Sequence, residues 1–239
     1  MQSIFVSDLH LAPERPEATA TFREFAAGPA AQAEAVYILG DFFEYWVGDD
    51  ELDDPFNASL ADVLHELGGK TALHFMHGNR DMLAGTRFAE RCRAKLLGDS
   101  LLLDLYGTKT LVMHGDTLCT DDVAYQKFRA FSRDPNNQRM FLAQPLEARR
   151  KQAMGYRADS QREKAGKTDE IMDVAPAAVE QVLRENGYPR LIHGHTHRPG
   201  RHVHVVDGKS CERWVLTDWY DGRAGYLVCD ASGCRSVTL

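Results

Sequence analysis

No Cys-x-x-Cys pair, no long apolar run and no surplus of positive charge occur in this sequence. The five cysteines, Cys92, Cys119, Cys211, Cys229 and Cys234, are odd in number and scattered. That argues against a disulfide framework and against a zinc ribbon, and favours a reducing cytoplasm. No apolar stretch approaches the ~20 residues that a helix needs to cross a bilayer, so any membrane contact is expected to be peripheral. The opening residues, Met-Gln-Ser-Ile-Phe-Val-Ser-Asp, carry neither a basic segment nor a cleavable apolar one, and no signal peptide is expected there. A formal net charge of -7 disfavours a non-specific nucleic-acid binder. It leaves room for an anionic substrate, because bound cations reverse the local sign. Internal repeats and low-complexity tracts are also absent.

What is present is the composition of a soluble globular chain: 239 residues, 44% hydrophobic and 26% charged. Short apolar runs alternate with helical patterns, which predicts an α/β layered fold. Strands are expected at 3–7, 35–39, 71–76 and 190–192, with a hairpin at 101–105 and 110–113 and further strands at 203–206, 213–216 and 226–229. Helices are expected at 19–33 and 56–67. From Asp121 to Asn186 no strand pattern appears, only helical stretches rich in Arg, Gln, Ala and Met. The predicted organisation is a core of residues 1–120 and 187–239, with a helical cap or lid inserted at 121–186.

Polar residues fall at informative places. Asp8-Leu9-His10 follows the first strand, Gly40-Asp41 the second and Gly78-Asn79-Arg80-Asp81 the third; His114-Gly115-Asp116 follows the hairpin, and Gly194-His195-Thr196-His197 follows the strand at 190–192. Each cluster alone has a bland explanation: a cap, a turn or a core histidine. Five of them beyond the carboxyl ends of strands, where α/β sheets collect ligands, are what one site assembled by folding requires. Carboxylate, imidazole and an amide carbonyl without thiolate suit Mn²⁺, Fe²⁺, Zn²⁺ or Mg²⁺. A carboxylate such as Asp41 can bridge two cations, and paired cations ~3.5–4 Å apart acidify water and clamp the oxygens of a phosphoryl displacement.

In order and type, these motifs resemble the calcineurin-like metallophosphoesterase superfamily. The resemblance implies a four-layer α-β-β-α sandwich with paired metals at the strand ends. Asp8, His10, Asp41 and His197 would hold the first metal; Asp41, Asn79, His114 and His195 would hold the second. The wider segments Ser7–Leu11, Ile38–Glu44, Tyr45–Asp50, Met76–Asp81, Met113–Asp116 and Ile192–Pro199 resemble more closely the UDP-2,3-diacylglucosamine hydrolases. That resemblance implies two Mn²⁺, cleavage of the substrate diphosphate to UMP and 2,3-diacylglucosamine 1-phosphate (lipid X), and a place in lipid A biosynthesis. It also implies peripheral attachment to the cytoplasmic face of the bacterial inner membrane. No nucleic acid and no obligate protein partner are expected.

By the same resemblance, Asn79, Arg80, Asp122, Ser160, Lys164, Lys167 and His195 would contact substrate. For Arg80 the plain alternative is a salt bridge with Asp81; for Lys164 and Lys167, three apart on one helical face, it is a solvated basic surface. Tyr125, Phe128, Phe131, Met140, Phe141, Leu142, Met154, Tyr156, Ile171 and Met172 supply apolar surface for acyl chains or for packing among helices. Arg149, Arg150 and Lys151, with Arg157, Arg162 and Lys164, form a basic stretch suited to anionic lipid headgroups. Two other readings stay open: a related phosphodiesterase or pyrophosphatase with a soluble substrate, and a scaffold that keeps the fold without catalysis.

Overall fold

The computed structural model describes residues 1–164 and 171–239. The chain runs β1 (Ser3–Val6), α1 (Pro16–Ala27), β2 (Ala35–Leu39), α2 (Pro55–Gly68), β3 (Ala72–Met76), α3 (Thr86–Cys92), β4 (Ala94–Leu96), β5 (Ser100–Leu105) and β6 (Thr108–Met113). It continues through α4 (Val123–Ser132), α5 (Pro135–Leu142), α6 (Leu146–Lys164) and α7 (Pro176–Glu185), then β7 (Arg190–His193), β8 (Gly200–Val206), β9 (Lys209–Val215), β10 (Gly225–Asp230) and β11 (Gly233–Thr238).

Two mixed sheets form, in the orders β11-β10-β1-β2-β3-β4 and β5-β6-β7-β9-β8. Their alternating side chains define the layers. Ile4 and Val6 of β1 point outward, to Phe22 and Phe25 of α1, Leu60 and Leu64 of α2 and Phe88 of α3. Phe5 points the other way, into an inter-sheet core with Leu39, Met76, Val112, Ile192 and Trp214. On the far side, Val179 and Leu183 of α7 pack on Leu111, Met113 and Leu191. The order of layers is helix, sheet, sheet, helix. Each fully buried side chain of this size contributes about 1.5–3 kcal/mol.

The core helices start where their sequences dictate. At α2, Asp54 accepts from the Phe56 and Asn57 backbone N–H groups, and Pro55 stands in the first turn, where its missing N–H costs nothing. The helix predicted at 19–33 is observed at Pro16–Ala27. Proline again suits the first turn, and Gly28-Pro29 ends the helix because Pro29 has no N–H to donate and crowds the residue before it. Two strands had not been expected: β4 is only three residues long, and β11 pairs with β10 along its whole length. That pairing sets Cys229 opposite Cys234, and the two are joined by a disulfide. The cysteine spacing had not indicated it, since four residues and a hairpin turn separate them. Cys92, Cys119 and Cys211 are free and buried.

Within 121–186, α7 belongs to the outer layer of the second sheet, whereas α4 and α5 bury no residue fully. Arginines fasten these helices to the body of the protein. Arg129 Nε donates to Asp116 (2.7 Å) and its Nη2 to Asp99 (2.8 Å), and Arg133 Nη2 donates to the Gly78 carbonyl (3.0 Å). Arg149 is buried and donates to Asp50 and to the carbonyls of Val47 and Gln144. Arg150 is bidentate on the fully buried Glu51, at 3.1 and 2.7 Å. Two of the six charges expected to face lipid headgroups are thereby committed to carboxylates of the protein itself. Arg150→Gln takes the charged partner from Glu51 and leaves it, among the described residues, the Asn57 amide as donor. The expected cost is about 3 kcal/mol, toward the low end for breaking a buried pair, seen as a melting temperature lower by roughly 6–12 °C. Vesicle binding is expected to change only insofar as the fold does.

A candidate dinuclear metal site

Parallel pairing decides where the polar clusters meet. β1, β2 and β3 run in register, Ser3 beside Ala35 and Ala35 beside Ala72, and β6 runs parallel to β7. Their carboxyl ends therefore open on the same side. The loops continue the pairing beyond the strands: the Asp8 N–H donates to the Gly40 carbonyl (3.1 Å), the His10 N–H to Asp41 (2.9 Å) and the Gly194 N–H to His114 (2.8 Å).

The approach is close. A Cβ on Gly78 would stand 2.8 Å from Asp41 Cγ, and one on Gly194 would stand 2.7 Å from Ser7 Cβ, so only glycine allows these loops to meet. Asp8, His10, Asp41, His195 and His197 all have positive φ, between 49° and 70°. Such backbone is uncommon outside glycine and gathers at functional sites.

Asp81, fully buried, ties the second and third loops together. Its carboxylate accepts from the N–H groups of Asp41 (3.3 Å), Phe42 (2.7 Å) and Gly78 (2.8 Å). Asp81 is thus spent on backbone, and the alternative role of Arg80 as its salt-bridge partner is not what forms. Arg80 Nη1 instead lies 3.8 Å from Glu44 Oε1, and its N–H donates to Asp41 Oδ1 (2.8 Å).

The predicted ligands converge. Asp8 Oδ2 accepts from Ser7 Oγ (2.6 Å) and from the His195 N–H (2.8 Å), which leaves Oδ1 buried and without a hydrogen-bond partner. Oδ1 faces His10 Nε2 at 3.9 Å and His197 Nε2 at 3.4 Å. Asp41 divides its oxygens, Oδ2 lying 3.8 Å from His10 Nε2 and Oδ1 3.9 Å from His114 Nε2. Asn79 Oδ1 is 3.2 Å from His114 Nε2 and 3.1 Å from His195 Nδ1. The Leu39 carbonyl accepts from His114 Nδ1 at 2.8 Å, which turns the bare Nε2 toward this cluster. Among the described residues, Asp8, His10 and His197 form one group able to hold a cation, and Asp8, Asp41 and His114 form another.

The electrostatics fit cations here. Burial, helped by the charges of Asp81 and Asp8, pushes the Asp41 carboxyl up to about 7 against the pull of His114. Burial also opposes the charge of Asp8, but the close approach of His197 Nε2 to Oδ1 and the charges of His114, His197 and His10 outweigh it and hold that carboxyl well below its usual range. Two carboxylates buried together, one with an oxygen bonded to nothing, suit divalent ions, which neutralise them.

The other predicted substrate residues divide. Asp122 caps α4, accepting from the Tyr125 N–H (3.1 Å). Ser160 and Lys164 fall in the last turns of α6, where their side chains lie outside the described residues, as does all of Lys167. Of the apolar candidates, Phe131, Met140, Leu142, Met154, Tyr156 and Ile171 are exposed. Tyr125, Phe128, Phe141 and Met172 are half-buried.

The motifs gave no role to several residues around the site. Arg15 donates to the carbonyls of Leu9 (2.9 Å) and His10 (2.7 Å) and lies over the Tyr220 ring at 4.1 Å. Glu44 and the buried Asp218 stand behind His10 and His197. Tyr125, read only as apolar surface, donates its hydroxyl to Asp116 (2.9 Å), with its ring 5.4 Å from His195. Glu44 closes the segment Ile38–Glu44 but carried no role there; Asp218 had no sequence signal.

Residues 1–199 match the calcineurin-like phosphoesterase family. A UDP-2,3-diacylglucosamine hydrolase of Aromatoleum aromaticum is 52% identical over 98% of this chain and 95% of that protein. One of Chromobacterium violaceum is 47% identical over 98% of each. A dimetal phosphatase from Danio rerio superposes with a TM-score of 0.55 over 100% of this chain and 98% of its own, at 14% identity, a likeness of fold alone. From strand-end ligands to a likeness that runs nearly end to end, these findings agree: the chain belongs to the calcineurin-like phosphoesterase family, in the branch whose members are named UDP-2,3-diacylglucosamine hydrolase.

Proposed function

We propose that this chain hydrolyses the diphosphate of UDP-2,3-diacylglucosamine to UMP and 2,3-diacylglucosamine 1-phosphate at a dinuclear manganese centre. One observation carries the reading: side chains from four strand ends meet around the buried Asp8 and Asp41, with Asn79 from a fifth beside His114 and His195, in a chain 52% identical to a hydrolase of that name. Asp8, His10, Asp41 and His197 would hold one ion; Asp41, Asn79, His114 and His195 would hold the other. Such ions lower the pKa of bound water and neutralise phosphate oxygens. The contribution of the protein is placement. Asp81 fixes the loops of Asp41 and Asn79, and Arg80 offers a charge-assisted donor for the diphosphate.

Helices α4 to α6 would serve as the cap. Their exposed Phe131, Met140, Leu142, Met154 and Tyr156 offer a surface for acyl chains, or for the cytoplasmic face of the bacterial inner membrane. No described helix is long and apolar enough to cross a membrane.

The test is a product assay with manganese-loaded protein and UDP-2,3-diacylglucosamine, beside bis(p-nitrophenyl) phosphate and a dinucleoside tetraphosphate. UMP and the lipid phosphate are expected; turnover of the soluble esters alone would move the assignment to a soluble substrate. In oxygen-18 water the label is expected in UMP. Label confined to the lipid product would reject attack on the α-phosphorus.

A further inference from the structure

Glu44 follows β2, three residues beyond Asp41, and is buried. A buried carboxylate needs strong partners, and those of Glu44 come from four separate parts of the chain. The Tyr220 hydroxyl donates to Oε2 (3.0 Å), and His10 Nδ1 lies 3.6 Å from the same oxygen. Arg80 Nη1 lies 3.8 Å from Oε1, and Arg157 Nε, from α6, lies 3.0 Å from Oε1 as an ion pair without hydrogen-bond alignment.

His10 Nδ1 is itself buried and without a hydrogen-bond partner. With Nε2 turned to Asp8 and Asp41, the proton belongs on Nδ1, and Glu44 Oε2 stands ready to accept it. About half an ångström separates the present spacing from a hydrogen bond. His197 repeats the arrangement, its Nε2 toward Asp8 and its Nδ1 3.7 Å from Asp218 Oδ2. Both histidines assigned to the first ion are thus backed by carboxylates, whereas His114, assigned to the second, is backed by the neutral carbonyl of Leu39. A carboxylate behind a ligating imidazole fixes its tautomer and raises its basicity.

We propose that Glu44 is the positioning residue of His10, strengthening one of the two cation positions, and that the same carboxylate seats the helical insertion through Arg157. The proposal rests on the reading of the site as a dinuclear metal centre. It makes the charge of Glu44 act on the position that His10 serves and not on the other.

The experiment is a calorimetric Mn²⁺ titration, with electron paramagnetic resonance to count paired ions, on the parent, Glu44→Gln, Glu44→Asp and Arg157→Gln. Glu44→Gln keeps size and an acceptor for Tyr220 but loses the charge. It is expected to weaken one class of site by about 10–100-fold and leave the other unchanged, so that spin-coupled pairs appear only at higher Mn²⁺. Glu44→Asp, which keeps the charge on a shorter arm, is expected to fall between. Arg157→Gln is expected to keep both affinities while hastening limited proteolysis within α4 to α6. Parent-like titration of Glu44→Gln overturns the proposal. So does equal weakening of both classes with a matching fall in the melting temperature of the metal-free protein, since that is a merely structural role. So too does Arg157→Gln cut at the rate of the parent. A parent that binds no Mn²⁺ at all instead defeats the metal reading itself.

Discussion

Replacing Asp41 with alanine is expected to abolish turnover while leaving the metal-free protein folded. Asp41 turns one oxygen toward His10 and the other toward His114, so its loss uncouples the two cation positions. The rate should fall by at least the ~10²–10³-fold that follows removal of one preorganised electrostatic group, and bound manganese should fall below two ions per chain. Stability should move the other way or not at all. Burial beside Asp8 and Asp81 raises the Asp41 carboxyl to about 7. Because the unfolded chain carries that group near the usual carboxylate value, its charge opposes folding at any pH above that value. Alanine removes this penalty, which offsets the loss of an acceptor for the Arg80 N–H, and the metal-free variant should melt no lower than the parent. Near-normal turnover with two ions bound would contradict the site assignment.

The second large effect is expected at Asp81, and on stability first. Its carboxylate satisfies three buried N–H groups on two loops. Asp81→Ala leaves all three without an acceptor, at about 1–3 kcal/mol each. Some relaxation brings the expected loss to roughly 3–6 kcal/mol, measurable by denaturant unfolding. Asp81→Asn keeps an acceptor oxygen and should lose less than half as much. Metal affinity should fall in both variants, because Asp41 and Asn79 ride on the stapled loops. An unchanged unfolding midpoint for Asp81→Ala would mean that those N–H groups find other partners.

The contrast between these two aspartates shows what could be read from the sequence. Asp8, Asp41 and His114 were legible because each ends a short apolar run, a local pattern that needs no knowledge of the fold. The role of Asp81 was not: its partners Asp41 and Phe42 lie some forty positions away, and only parallel pairing of β2 with β3 brings them together. Asp218 was invisible for the same reason, since it meets His197 through a loop after β9. The strands β1 and β2 were legible from their short apolar runs, and both are buried along their whole length. β4 was too short to show a period, and β11, Gly-Cys-Arg-Ser-Val-Thr, lacks the alternation that marks a half-buried strand. The basic run at Arg149–Lys151 misled because charge was counted without its partners, Asp50 and Glu51.

The positive φ angles at positions 8, 10, 41, 195 and 197 bear on which sequences evolution can sample. In a saturation library, survivors at these sites must pass a conformational filter before any chemical one. Asparagine, aspartate, histidine and glycine tolerate that backbone region, whereas valine, isoleucine and threonine are disfavoured whatever else they offer. Recruiting the scaffold to a new metal is therefore easier through the residues behind the ligands than through the ligands themselves.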